Sequence, residues 1–231
     1  MGQKWKGGDD MANNPGGGHK INLLKEEMEN FKDNPDQILM FTDSYDVIFL
    51  AEPSEIIAKF KEFKANLVFG AESFCWPDSK LADSYPVPES GKRFLNSGGF
   101  IGYAKDIYAL VNFKPVQDSD DDQLYYTQLY LNEAFREKHQ MVLDHKSRIF
   151  QNLNGATDEV ELVFDDINPK ILNTLYDTKP LVLHGNGPSK RVLNSLANYV
   201  PGSWNMEDQC TACWEDPVSF EDMTEVSFLI H

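Results

Sequence analysis

The sequence predicts an α/β fold with a mainly parallel central sheet, and two observations lead to that prediction. Short apolar runs alternate along the chain with longer segments in which apolar residues recur every three or four positions, which is typical of alternating strands and amphipathic helices. The second observation is a pair of aspartates, Asp43 and Asp46, that comes directly after the apolar run 38–41. Carboxylates at the end of a buried strand lie where open α/β sheets bind their ligands.

The first half of the chain supplies the predicted elements in order. Residues 5–20 are rich in Gly, Asp and Asn and predict a mobile loop that leads into a helix, whose apolar positions begin at Ile21. After the strand that ends at Asp43, a second amphipathic helix is predicted to begin at Pro53, and residues 67–69 predict another buried strand. Helix and strand therefore alternate, as a mainly parallel sheet requires.

Three later segments bear on function. Residues 94–103 predict a strand, and its glycines indicate that another group approaches it closely, because glycine weakens a strand. Residues 118–122 open a further helix, and residues 180–183 form a strand that ends at His184. The chain begins with a loop where a doubly wound sheet normally begins with a strand, so we expect the first strand to be missing.

The end of the chain differs in character from the rest. Beyond residue 205 the sequence becomes polar and carries two cysteines, and a single apolar run follows at 226–230. We interpret residues 1–205 as one domain, and residues 206–231 as a linker with the first strand of a following domain.

Composition excludes some classes of function. The 231 residues are 41% hydrophobic, which is ample for a packed core, and carry 21 Lys and Arg against 37 Asp and Glu, a formal charge of −16. Such a chain is a poor partner for nucleic acid, and no apolar stretch is long enough to cross a bilayer. An acidic protein that handles a diphosphate needs a bridging cation.

The three cysteines are Cys75, Cys210 and Cys213. The Cys-x-x-Cys pair could be half of a zinc site, a redox pair or a local disulfide. Zinc would need two further ligands nearby and none follows, so a disulfide in an oxidising compartment is favoured. Cys75 is then expected to be free and buried beside Phe74 and Trp76.

The aspartate pair and His184 predict a metal site. Two carboxylates and an imidazole suit Mn²⁺ or Mg²⁺ that holds a phosphate-bearing substrate, although a strand-ending turn would also explain Asp43 and Asp46. Tyr45 could stack on a base or close the turn. Four residues that closely follow His184 in the chain are also expected at the site. Gly185 and Gly187 allow close backbone approach, and Asn186 and Lys190 are expected within reach of a diphosphate.

The acidic run 120–122 has two interpretations. Acids at a helix start complement the helix dipole and cap free N–H groups, which explains one or two of them. Three like charges in series repel one another, and the alternative is that Asp121 or Asp122 orients an acceptor hydroxyl or stabilises a positive sugar centre. Trp76 is either a core residue or a platform for an acceptor.

Seven motifs together resemble the N-terminal glycosyltransferase domain of the procollagen lysyl hydroxylases. They occur in order over nearly the whole chain: 4–9 (KWKGGD), 41–47 (FTDSYDV), 71–77 (AESFCWP), 94–102 (FLNSGGFIG), 120–124 (DDDQL), 144–152 (DHKSRIFQN) and 184–188 (HGNGP). The resemblance implies a GT-A type, Rossmann-like domain that binds a UDP-sugar with Mn²⁺. It implies that the domain glucosylates galactosyl-hydroxylysine of collagen in the endoplasmic reticulum, as part of a longer protein that pairs through its C-terminal domains.

The resemblance also implies roles for individual residues. It implies that Asp43, Asp46 and His184 bind the cation. It also implies that Asp121 and Asp122 are acids that lie beside the donor sugar. Four further residues would bind the nucleotide and diphosphate: Lys20, Tyr45, Gly185 and Asn186. Trp76 and Asn96 would line the pocket of the donor sugar. Two alternatives stay open: a hydroxylysine galactosyltransferase of the same fold, and a catalytically idle domain that binds a UDP-sugar and supports its neighbours.

Overall fold

The computed structural model describes Lys6, residues 16–165 and 168–200, and the strand at 226–230. The helices are α1 Gly18–Met28, α2 Pro53–Glu62, α3 Ala104–Val111, α4 Asp122–Leu131, α5 Glu133–Lys138 and α6 Lys190–Ala197. The strands are β1 Ile38–Thr42, β2 Val47–Phe49, β3 Leu67–Glu72, β4 Phe94–Tyr103, β5 Met141–Asp144, β6 Phe150–Asn152, β7 Val160–Asp165, β8 Asn168–Asn173, β9 Val182–His184 and β10 Val226–Ile230. The predicted α/β class is confirmed.

The central sheet has five strands in the order β10-β1-β4-β3-β5. Strands β10, β1, β3 and β5 run in one direction, and β4 runs antiparallel to both of its neighbours, β1 and β3. A second sheet of three strands has the order β2-β9-β6, and β7 pairs with β8 as a separate hairpin. The carboxyl ends of β1 and β3 therefore meet the amino end of β4 at one edge.

The central sheet is covered on both faces. Leu39 and Phe41 of β1 belong to a buried cluster with the apolar sides of α1, α3 and α4, whereas Ile38 and Met40 belong to a second cluster with α2 and the second sheet. All five residues of β1 are buried, as expected of a strand packed on two faces. Among the described helices, none has the length and apolarity that a bilayer crossing needs.

Some expectations are corrected. The predicted mobile loop does not extend over residues 16–20, because Gly16 and Gly17 are buried and α1 begins at Gly18. Cys75 is only partly buried, against the expectation of a buried thiol, and its Sγ lies 3.3 Å from the carbonyl oxygen of Asp78. Cys210 and Cys213 lie outside the described residues.

The segment at 226–230 forms an edge strand parallel to β1, with Ile38 opposite Val226. Its assignment to a following domain, and the boundary at residue 205, stay predictions. The first element that the structure describes is α1, a helix.

Candidate functional site

The functional site lies where the ends of three strands converge. Asp43 follows β1, Glu72 ends β3 and His184 ends β9, and all three line one cavity of about 1290 Å³. Residues 96–98 of β4 and the start of α4 complete the same lining. The position agrees with the edge at which α/β sheets bind ligands.

Asp43, Asp46 and His184 form a compact cluster whose ligand atoms lie within 4.8 Å of one another. The Nε2 atom of His184 lies 3.6 Å from Oδ2 of Asp43 and 3.7 Å from Oδ1 of Asp46. The sequence prediction that these three residues come together is therefore met by the geometry.

Backbone hydrogen bonds bring the cluster together. The N–H of Asp43 donates to the Gly98 carbonyl at 2.9 Å, and the N–H of Gly185 donates to the Asp46 carbonyl at 2.8 Å. A Cβ atom at Gly98 would lie 2.0 Å from Cε1 of His184, so only glycine leaves room for the imidazole. This contact is the close approach that the glycines of strand 94–103 predicted.

Two side-chain amide oxygens lie next to Nδ1 of His184, the ring nitrogen that does not face the carboxylates. Nδ1 lies 2.8 Å from Oδ1 of Asn152 and 3.1 Å from Oδ1 of Asn96. Burial lowers the pKa of His184 and outweighs the opposing effect of the Asp43 and Asp46 carboxylates. The neutral imidazole is the form that binds a metal.

The cluster fits a divalent cation. Ligand atoms of an octahedral cation with bonds of about 2.1 Å lie about 3 Å apart when adjacent and about 4.2 Å apart when opposite. The distances of 3.6 and 3.7 Å from the imidazole to the two carboxylates fall in that range. Two carboxylate oxygens with one imidazole nitrogen are also the donor types that Mn²⁺ and related cations accept.

Two lysines neutralise the cluster. Lys20 of α1 places Nζ 2.9 Å from Oδ1 of Asp43 and 2.6 Å from Oδ2 of Asp122, and Lys190 places Nζ 3.1 Å from Oδ2 of Asp46. Burial alone would lower the pKa of Lys20, but Asp122 and Asp43 together raise it. Burial would likewise raise the pKa of Asp43, but Lys20 and then His184 hold it below its usual value. Lys20 therefore links the cation cluster to the acidic helix start.

The acidic run serves as a helix start and also lines the cavity. Asp121 is the N-cap of α4, and its Oδ1 accepts from the Leu124 N–H at 2.6 Å. Burial, with a smaller effect from Asp122, raises the pKa of Asp121 to about 6. Both Asp121 and Asp122 line the cavity, so capping does not remove them from it.

The tight packing of α1 against this helix start explains the glycines that precede α1. Gly17 forms a β-bridge with Asp121, and a Cβ atom on Gly17 would lie 2.2 Å from Oδ1 of Asp122. Gly17 also has a φ of +108°, which side chains rarely adopt. This close packing places Lys20 between the two acidic groups.

Exposed aromatic residues form the rim of the cavity. Tyr45 is 99% exposed, and Phe74 and Trp76 are each 50% exposed. All three line the cavity. Of the two interpretations of Trp76, the core position is therefore wrong.

Comparisons with known proteins agree with this geometry. Residues 1–210 match the model of a family described as the PLOD GT (glycosyltransferase) domain. The chain belongs to this family. It is 54% identical over 216 residues to the human multifunctional procollagen lysine hydroxylase and glycosyltransferase LH3, with 94% of the chain and 29% of the relative covered.

Two further relatives show the same partial coverage. A multifunctional procollagen lysine hydroxylase and glycosyltransferase of Caenorhabditis elegans is 50% identical over 92% of the chain and 30% of its own length. The procollagen-lysine,2-oxoglutarate 5-dioxygenase 2 of Mus musculus is 49% identical over 94% of the chain and 29% of its own length. The chain thus spans somewhat less than a third of these relatives.

Within this PLOD GT domain, nearly every site residue expected from the sequence lines the cavity. The exception among the described residues is Gly185, whose N–H is used by the Asp46 carbonyl and whose Cα packs against Leu193. The residues that do line it are Lys20, Asp43, Tyr45, Asp46, Trp76, Asn96, Asp121, Asp122, His184, Asn186 and Lys190. Apart from Lys6, the motif at 4–9 lies outside the described residues.

Three polar residues, Glu72, Gln123 and Asn152, were missed as functional residues. Glu72 is buried, and its carboxylate accepts from Gln123 at 2.7 Å and from Asn186 at 2.9 Å. Burial raises the pKa of Glu72 despite these hydrogen bonds. The amide oxygen of Asn152 lies 2.8 Å from Nδ1 of His184. For Glu72, a polar residue at the end of an apolar strand was the available signal, the same one that identified Asp43.

Proposed function

We propose that this PLOD GT domain is a Mn²⁺-dependent glycosyltransferase that uses UDP-glucose to glucosylate galactosyl-hydroxylysine of collagen. The observation that carries the proposal is the cluster of Asp43, Asp46 and His184, which opens into the same cavity as Lys20 and Asp121. Carboxylates for a cation, a lysine for a phosphate and an acid near the sugar are the groups that transfer from a sugar diphosphate needs.

The size of the cavity supports a large donor together with an acceptor. Pockets for single small ligands typically measure about 300 to 1,000 Å³, and this cavity measures about 1290 Å³. A nucleotide-sugar leaves part of such a volume free for the acceptor, and the half-exposed Trp76 lies at the rim where a polymeric acceptor would enter.

Lys20, Lys190 and Asn186 are proposed to bind the diphosphate. Lys190 is more than half exposed, so it can turn from Asp46 toward a phosphate oxygen at little cost. Asn186 is fixed by donating to Glu72 and accepting from the Asn154 N–H at 3.0 Å. Tyr45, exposed beside the metal ligands, offers a ring on which the uracil can stack.

A divalent cation held by Asp43, Asp46 and His184 would supply Lewis-acid stabilisation of the departing UDP, worth several kcal/mol. Asp43 and Asp46 hold their carboxylates at that point, and His184 contributes its Nε2 lone pair. Asp121 or Asp122 orients the acceptor hydroxyl or stabilises the positive sugar centre. The bond that forms joins the acceptor oxygen to the anomeric carbon as the bond to UDP breaks.

The relatives' names support a proposal for the acceptor. LH3 is named as a procollagen lysine hydroxylase and glycosyltransferase, so we propose procollagen as the acceptor and the lumen of the endoplasmic reticulum as the site of action. We also propose that the protein pairs as a homodimer through domains outside this chain. The 5-dioxygenase relatives carry no glycosyltransferase in their names, which keeps the idle-domain alternative open to test.

The deciding experiment measures UDP release from UDP-glucose with a galactosyl-hydroxylysine peptide, in Mn²⁺ or in EDTA. Release that the peptide stimulates and EDTA abolishes is the expected result. UDP release from UDP-galactose that a hydroxylysine peptide stimulates would instead identify the galactosyltransferase. Binding of UDP without release from either donor would identify the idle domain.

A further inference from the structure

The two ring nitrogens of His184 face different surroundings. Nε2 points toward the carboxylates of Asp43 and Asp46 at 3.6 and 3.7 Å. Nδ1 faces the amide oxygen of Asn152 at 2.8 Å and that of Asn96 at 3.1 Å. An amide oxygen only accepts hydrogen bonds, so the proton of the neutral ring lies on Nδ1 and the lone pair on Nε2.

Asn152 cannot turn its amide around. Its Nδ2 donates to the carbonyl of Ala71 in β3 at 3.0 Å, so its oxygen must face the imidazole. The side chain is 2% exposed, which leaves no water to compete for either end of the amide. Asn152 is also directly opposite His184 in the β6–β9 pairing. The hydrogen bond from His184 therefore has a fixed acceptor.

Asn96 is a second, more distant partner of the same ring. Its amide oxygen also accepts from the Gly98 N–H at 3.0 Å, and its side chain lines the cavity where a ligand can engage it. Asn152 is not among the described residues that line the cavity. The oxygen of Asn96 is therefore shared between His184 and Gly98, whereas the oxygen of Asn152 lies closer to Nδ1 of His184.

We propose that Asn152 is a positioning residue that holds His184 in its Nδ1–H tautomer and so presents Nε2 to the cation. The inference rests on the proposed function, because it gives that Nε2 a metal to bind. When a metal-bound histidine loses the group that accepts a hydrogen bond from its other ring nitrogen, metal affinity typically falls by about 10- to 100-fold. Asn152 takes this role through His184 and touches neither donor nor acceptor.

A purely architectural role is the rival explanation, since the Ala71 hydrogen bond ties the second sheet to the central sheet. Two variants separate the roles. Asn152→Leu loses both hydrogen bonds, whereas Asn152→Asp loses the donor to Ala71 but keeps an oxygen for the Nδ1–H. Positioning predicts that only Asn152→Leu weakens the metal site. An architectural tie predicts that the two variants weaken it equally.

The first measurement is Mn²⁺ affinity in the presence of UDP, from the electron paramagnetic resonance signal of free Mn²⁺. We expect Asn152→Leu to weaken binding by about 10- to 100-fold, and Asn152→Asp to stay within about threefold of the wild type. Asn132→Ala is the control for lost stability, because Asn132 caps α5 by accepting from the Phe135 N–H, outside the cavity lining. It should lower the melting temperature and leave Mn²⁺ affinity unchanged.

The second measurement needs no metal. The ¹⁵N imidazole spectrum of the metal-free protein, with His184 assigned by the signal lost in His184→Gln, should show a proton on Nδ1 in the wild type and in Asn152→Asp. In Asn152→Leu the population should shift toward the other tautomer. Equal losses in both variants, or an unchanged spectrum and affinity in Asn152→Leu, would overturn the inference.

The two proposals fail in different ways. A wild-type protein that takes up no Mn²⁺ with UDP would defeat the proposed function, while the imidazole spectrum would still decide whether Asn152 sets the tautomer. Normal Mn²⁺ binding together with an unchanged imidazole spectrum in Asn152→Leu would defeat this inference alone.

Discussion

The cation cluster and the aromatic rim of the cavity differ in how tightly their side chains are held. At the cluster, His184 and Asp46 are buried, and Asp43 and Asp46 are each paired with a lysine. At the rim, Trp76 is half exposed and Tyr45 is fully exposed. Groups that stabilise a leaving group must be in place before the reaction, whereas a surface that receives a polymer can adjust to it. Substitutions at the cluster should therefore affect chemistry, and substitution of Trp76 at the rim should affect apparent acceptor affinity.

The largest effect is expected at the cluster. Asp43→Ala should reduce transfer by about a thousandfold or more, because the lost stabilisation of the leaving group is several kcal/mol. Nucleotide-dependent Mn²⁺ binding should be lost together with activity, as measured by UDP release and by calorimetric titration of the metal. Asp36→Asn is the matched control, since Asp36 is an exposed carboxylate that pairs with Lys105 at 3.1 Å. Activity above a tenth of the wild type in Asp43→Ala would contradict the metal assignment.

A smaller effect is expected at the helix start between these two regions. Asp121→Asn keeps an N-cap oxygen for the Leu124 N–H but removes the charge, so the rate constant kcat should fall by about 100-fold without any loss of folding stability. With a pKa of about 6 for Asp121, wild-type activity should rise with pH through that value. That rise should be absent from Asp121→Asn. Full activity in Asp121→Asn would mean that Asp121 only caps α4 and takes no part in the reaction.

The rim should give a weaker and different response. Trp76→Ala should lower kcat/KM for the acceptor peptide by about three- to tenfold, as expected when an aromatic contact of about 0.5 to 1.5 kcal/mol is lost. Mn²⁺ and UDP affinities should not change. Val87→Ala, also on the segment between β3 and β4 and 80% exposed but outside the cavity lining, is the control. A loss of UDP affinity in Trp76→Ala would show that the rim belongs to the donor site.

The same comparison shows what sequence could predict. Asp43 and His184 were predictable because each follows an apolar run, and strand ends in α/β folds converge on the ligand. The helix start at Asp121 was predictable from capping chemistry. The relation of these residues to Lys20 was not, because the ion pairs that join Lys20 to Asp43 and Asp122 depend on how α1 packs against α4.

Residues that act through other residues were the hardest to predict. Asn152 and Gln123 are ordinary polar residues in sequence, and their roles appear only when their partners are known. Asn152 meets His184 through strand pairing, and Gln123 meets Glu72 across 51 positions of sequence. Such contacts leave no local pattern, whereas a direct ligand at a strand end does.

The smallest expected effect concerns stability. Asp121 has a pKa near 6 in the folded protein against the ordinary value of 3.8, so between those values the folded state holds a proton that the unfolded chain releases. Its contribution to the free energy of unfolding is therefore largest below pH 4, declines as the pH rises through 6, and is constant above. Asp121→Asn cannot titrate, so the variant should gain stability relative to the wild type across this window. Urea denaturation at several pH values measures that difference, and other groups with raised pKa values, such as Glu72, cancel because both proteins contain them. Parallel stability curves for the two proteins would mean that folding leaves the pKa of Asp121 unchanged, so that its carboxylate is as well solvated in the cavity as it is in the unfolded chain.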